Sequence, residues 1–76
     1  MKSYTVKLQT INEVNDFVNT LLLIKEDVDL TSERYVVNAK SIMGVFSLDL
    51  TKPLTAVIHG DDNERYESIL SKFIVK

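Results

Sequence analysis

Polar and apolar side chains alternate along the first nine residues: Tyr4, Val6 and Leu8 fall on one side, Ser3, Thr5 and Lys7 on the other. A period of two marks a half-buried strand, so residues 2–9 are predicted to be β. The period then becomes helical, with Ile11, Val14, Phe17, Val18, Leu21, Leu22 and Ile24 recurring at spacings that keep one face apolar. Thr10-Ile-Asn-Glu13 in front of them reads as a capping box, the Thr10 hydroxyl accepting from the Glu13 amide and the carboxylate reaching back. Alternation returns at Asp27-Val28-Asp29-Leu30-Thr31, breaks at Ser32-Glu33-Arg34 and resumes at Tyr35-Val36-Val37-Asn38. That pattern predicts a hairpin, although its turn lacks an Asn-Gly pair. Ser41 is placed as the N-cap of a segment apolar at 42, 43, 45, 46 and 48, too short and too apolar for a surface helix of its own. Lys52-Pro53 stops it, and Leu54 to His59 reads as a fourth strand. Gly60-Asp61-Asp62 turns into a last helix with Tyr66, Ile69, Leu70, Phe73 and Ile74 on one stripe, Asp61-x-x-Glu64 offering a second capping box.

The resulting order, β-α-β-β-α-β-α, predicts an α+β fold with three helices on one face of a four-stranded antiparallel sheet. The other face is expected to be wet, because each strand gives alternate positions to polar side chains. Residues 1–76 read as one domain, with no linker, repeat or low-complexity stretch dividing them.

Composition narrows the function. In a chain this short nearly every apolar residue is expected to be needed for the core. The 11 acids outnumber the 9 bases, and the bases are scattered from Lys2 to Lys76 with no stripe that could neutralise several phosphates. Nucleic-acid binding is therefore not expected. The chain has no cysteine, so thiolate metal sites and disulfides are excluded. Its densest apolar run, Leu21 to Ile24, is far too short to span a bilayer, and no membrane contact is expected. The opening residues lack a secretory signal, so a cytoplasmic protein is expected. No metal, cofactor or catalytic residue set is predicted. His59 is the single histidine; its neighbours Asp61 and Asp62 read as helix-capping acids, and no nucleophile elbow accompanies it. Glu13 and Asp16 read as first-turn acids favouring the helix dipole, not as paired catalytic carboxylates.

One stretch carries more than its period. Val37-Asn38-Ala39-Lys40-Ser41-Ile42-Met43-Gly44-Val45-Phe46-Ser47-Leu48 closely resembles the serine-site region of the HPr family, the phosphocarriers of the bacterial sugar phosphotransferase system. Asp27-Val28-Asp29-Leu30 lies at the family's spacing before it, and Gly60-Asp61-Asp62-Asn63-Glu64 looks like a shortened turn into the family's last helix. The likeness covers residues 27 to 76 in sequence and residues 1 to 26 in pattern alone. It implies an open-faced β-sandwich with sheet order 1-4-2-3.

The resemblance also implies a phosphoryl-accepting histidine at the start of the first helix, inside a Gly-x-His-Ala-Arg-Pro motif. Here Thr10 falls at that position, followed by Ile11, Asn12 and Glu13, with no arginine and with an acid where a phosphoryl group would sit. His59 is expected at the opposite end of a strand that rises roughly 20 Å, so it cannot stand in. In the family the equivalent of Ser41 is a regulatory phosphorylation site, and the surface around Lys40, Ile42, Met43 and Phe46 meets protein partners. A short helix on a small domain cannot bury all its apolar faces, so some of these side chains are expected to be exposed. The chain is thus similar to the branch of the family that lacks the histidine, keeps the serine and serves catabolite repression. Implied partners are an HPr-type serine kinase/phosphorylase and a transcriptional regulator of carbon use. Two other readings stand beside it: a phosphocarrier with an unconventional acceptor, and a plain binding module whose Lys40–Val45 stretch only determines the fold.

Overall fold

The computed structural model describes residues 2–33 and 35–75. Its elements run β1 (Lys2–Val6), α1 (Ile11–Leu21), β2 (Val28–Ser32), β3 (Tyr35–Asn38), α2 (Ile42–Phe46), β4 (Leu54–Ile58) and α3 (Asn63–Leu70). All neighbouring strands are antiparallel, in the order β1-β4-β2-β3. The expected order of elements and of strands is therefore present, with three helices against one face of the sheet.

The register explains the two faces. Tyr4 lies opposite Ala56, Val6 opposite Leu54, and Leu30 opposite both Ala56 and Val37. These side chains share the helix-covered face and pack with Val14, Phe17, Leu21, Val45, Tyr66 and Leu70 into one buried core. On the other face Thr5, Thr55, Thr31 and Val36 form one row across the sheet, and Ser3, Val57, Asp29 and Asn38 the next. The Thr31 hydroxyl donates to the Thr55 carbonyl at 3.3 Å, holding two central strands together on that open face.

The elements differ from the sequence expectation chiefly at their ends. β1 stops at Val6, although Leu8 is still fully buried. Helix α1 stops at Leu21, while the apolar pattern continues to Ile24. The amides of Leu22, Leu23 and Ile24 bond to the carbonyls of Asn19, Thr20 and Leu21, tightening the chain into a turn that exposes both leucines and returns Ile24 to the core. The β2–β3 hairpin forms without Asn-Gly because Glu33 itself takes the left-handed backbone, with φ of 33°; Arg34 lies outside the described residues. The Ser41 segment does form a helix, of five residues, one turn seated on β3. Gly44 allows this seat, because a Cβ there would come within 3.3 Å of the Val37 Cβ. Helix α3 is capped by Asp62, not Asp61, and ends at Leu70. Phe73 reaches the core from the turn beyond it, its ring edge-on to Phe17 at 5.2 Å.

That turn leads to a segment that closes the β1 edge. Val75 donates to the Thr5 carbonyl at 2.8 Å and Lys7 to the Phe73 carbonyl at 3.1 Å, flanking an antiparallel bridge between Val6 and Ile74.

Candidate functional site

The candidate site is built on the starts of two helices that pack against each other. Thr10 is extended, with φ of −126° and ψ of 162°, and its hydroxyl accepts from the Glu13 amide at 3.1 Å. It is thereby committed to satisfying one of the free amides of the first turn of α1. Ser41 does the same for α2: its Oγ accepts from the Gly44 amide at 3.2 Å. The residue is exposed, so its hydroxyl is both a cap and open to solvent.

Beyond Ser41 the short helix buries only Val45. Met43 is 77% exposed, while Ile42 and Phe46 keep a little over a third of their surface in water, at 36% and 38%. Three large apolar side chains on five residues thus make a contiguous exposed cluster, and such a patch is a candidate partner surface. Lys40 differs from the sequence expectation. The sequence groups it with Ile42, Met43 and Phe46 as displayed surface, but it is half-buried, and its Nζ donates to the carbonyls of Ile24 at 2.5 Å and Glu26 at 2.9 Å. Those acceptors lie 16 and 14 residues away, and no local pattern announces them.

No protein-family model matches the chain, and neither does any curated protein sequence. Solved structures do. HPr-C-His from Thermoanaerobacter tengcongensis superposes with a TM-score of 0.80 at 27% identity, over 97% of this chain and 91% of that one. The phosphocarrier protein HPr from Bacillus anthracis gives 0.71 at 27% identity, covering 95% and 93%. Crh, the catabolite-repression protein of Bacillus subtilis, solved as a swapped, intertwined dimer, gives 0.66 at 26% identity over 95% and 88%. These likenesses, each over most of the chain, support membership of the HPr family.

Within this HPr-like fold the single histidine sits far from the start of α1. Val6, which leads toward Thr10, is opposite Leu54, whereas Ile58, just before His59, is opposite Lys2. Thr10 and His59 thus lie at opposite ends of the β1–β4 pair. On the open face His59 Nε2 is 2.8 Å from Asp29 Oδ2, and Asp27 and Asn38 line the same shallow cleft. Sequence reasoning missed this pair. Its signal is the β alternation itself, which puts positions 57 and 59 on the face of Asp29.

Among the described residues no group of three or more His, Cys, Asp or Glu side chains is arranged to hold a metal. No helix among them is long and apolar enough to cross a membrane. The clearest perturbed carboxyl lies on the loop after α2. Asp49 accepts from the Thr51 hydroxyl at 2.6 Å and from its amide at 3.0 Å, and these bonds, the hydroxyl first, hold its pKa below the ordinary carboxylate value.

Proposed function

We propose that this chain is a regulatory protein-interaction module of the phosphotransferase and carbon-catabolite system, without carrier chemistry and not an enzyme. Thr10 occupies the place of the family's carrier histidine, Ser41 is its regulatory phosphorylation site, and Ile42, Met43 and Phe46 form the surface its partners read. The partners are proteins: an HPr-type serine kinase/phosphorylase and a transcriptional regulator of carbon use. Its compartment is the cytoplasm, where those partners work.

The observation that carries this reading is the separation of Thr10 and His59 across the length of the sheet. A carrier needs an imidazole beside the free amides of a helix N-terminus, where the dipole and N–H groups hold the phosphoryl oxygens. Here a hydroxyl fills the cap, Glu13 adds negative charge in the first turn, and the imidazole is elsewhere. At Ser41, by contrast, phosphate would add about −1.5 to −2 charges beside Ile42 and Phe46. That charge repels a partner needing a bare apolar surface and recruits one that offers arginine or lysine.

The decisive experiment pairs two measurements. Mass spectrometry of the protein from its own host is expected to find phosphate on Ser41. Incubation with phosphoenolpyruvate and the general phosphotransferase enzyme is expected to leave no acid-labile phosphate. Acid-labile label on His59, at a rate comparable with genuine HPr, would establish the carrier reading with an unconventional acceptor. Unmodified Ser41 in the host, with no transfer to any residue, would leave a plain binding module.

A further inference from the structure

Lys40 is covalently next to Ser41, yet its ammonium serves another part of the chain. Its two acceptors, the carbonyls of Ile24 and Glu26, belong to the turn between α1 and β2. The last turn of α1 has no basic residue. The negative end of that helix and the carbonyls behind it are met from elsewhere: by Lys40, and by Arg65 of α3, whose Nη2 donates to the Leu23 carbonyl at 2.6 Å. Glu26 is tied down a second time, its carboxylate accepting from the Tyr66 hydroxyl. Gly60 packs against both, and a Cβ there would lie 2.6 Å from Glu26 Oε2. The turn that these contacts hold also carries Leu22 and Leu23, exposed by 64% and 61%.

We propose that Lys40 is a latch shared between two acceptor sites, and that a phosphoryl group on Ser41 draws it off the α1–β2 turn. The inference rests on the reading of Ser41 as a phosphorylation site. The physical basis is a competition. Among the described residues the ammonium donates to two neutral carbonyls, whereas phosphoserine offers a nearly doubly charged acceptor on the adjacent residue. The backbone at the pivot is held, since the Lys40 amide donates to Asn38 Oδ1 and the Ser41 amide to the Asn38 carbonyl, both at 2.9 Å. A four-carbon stem on a fixed Cα lets the ammonium change acceptors without moving the helix. Arg65 still holds the Leu23 carbonyl and Tyr66 the Glu26 carboxylate, so loosening is limited to the amides that lead up to the Ile24 carbonyl, those of Leu23 and Ile24. Phosphorylation would then be legible at two places, as charge on α2 and as a loosened apolar turn at the end of α1.

The test uses full-length protein with phosphoserine installed at position 41 by synthesis, so the latch can be judged whether or not the host modifies Ser41. Amide hydrogen exchange is read at Leu23 and Ile24, which bond to Thr20 and Leu21, with His59, bonded to the Asp27 carbonyl, as an internal control. Exchange at Leu23 and Ile24 is expected to quicken by about tenfold or more, as loss of a charge-assisted hydrogen bond implies, with His59 unchanged. Lys40→Met should show the quickened exchange without phosphate and no further change with it; Lys40→Arg should keep the response. Equal exchange in the phosphorylated and bare native protein, or an equal phosphate effect in native and Lys40→Met, would overturn the latch. Absence of phosphate from host protein would remove the reading of Ser41 and leave the latch result standing.

Discussion

Thr10 and Ser41 do the same work at the starts of α1 and α2, each hydroxyl accepting from the amide three residues on, at 3.1 and 3.2 Å. The helices beyond the two caps are opposite in character. The eleven residues of α1 bury Val14, Phe17, Val18 and Leu21, while the five of α2 bury Val45 and leave three large apolar side chains in contact with water. An isolated helix of either length is unstable in water, so each persists through what it packs on. For α1 that is the whole core; for α2 it is one valine, a glycine seated on β3 and a serine cap. One helix is built to stay and the other to be seen. An identical start therefore says little about a helix's role, whereas the fate of its apolar residues says a great deal.

The comparison breaks most sharply in the core. Phe17→Ala in α1 removes a ring that is fully buried against Phe73 and is expected to cost about 3–5 kcal/mol, whereas Val45→Ala in α2 should cost about 1.5–3 kcal/mol. Urea unfolding of the two variants measures both; equal losses would mean that α2 is as deeply anchored as α1. The caps come next. Thr10→Ala and Ser41→Ala should each lose about 0.5–2 kcal/mol in thermal melts, and Ser41→Asp should melt close to the parent, because Asp caps about as well as Ser. If Ser41→Asp melts as low as Ser41→Ala, a charged group is not accepted at that cap.

Smaller still is the effect of Met43→Ser. It should leave the melting curve within about 0.5 kcal/mol of the parent while weakening a partner that reads α2, as titration calorimetry would detect. The last test sharpens the loop after α2. Thr51→Val deletes the hydroxyl bond to Asp49, so the Asp49 pKa, held below its ordinary value, should rise in an NMR titration of its carboxyl carbon. Linkage gives the sign: a depressed carboxyl pKa contributes stability present above the unfolded value and lost as pH falls through the folded one. The variant should therefore lose less stability than the parent on acidification through that window.

Much of the fold is written in local periods. Tyr4, Val6, Leu54, Ala56 and Ile58 alternate as a half-buried strand must, and Val14, Phe17, Val18 and Leu21 recur as a core-facing helix must. Both hydroxyl caps are legible, because capping is a contact between residues three apart. The ends are not. Ile24 continues the helical pattern yet reaches the core from a turn, and Phe73 does the same after α3, since burial fixes where a side chain goes and not which backbone delivers it. Lys40 escapes a sequence reading for a related reason. Its neighbours in sequence are those of a displayed lysine, but its acceptors belong to a turn that only the packing of α2 beside α1 brings within reach. The pairing of His59 with Asp29 likewise joins residues 30 apart across two strands.

The segment that closes the β1 edge bears on the order in which the fold can close. β1 leaves the ribosome well ahead of its partner β4, which begins at Leu54, and the Val6–Ile74 bridge joins residues 68 positions apart. Both edges of the opening strand thus wait for chain made much later, and loops of that length must close before either contact contributes. α1 and the β2–β3 hairpin can take shape while translation continues. Until β4 and Ile74 are made, β1 has neither of these partners. Residues made long after β1 are thus the ones that fasten it in the sheet.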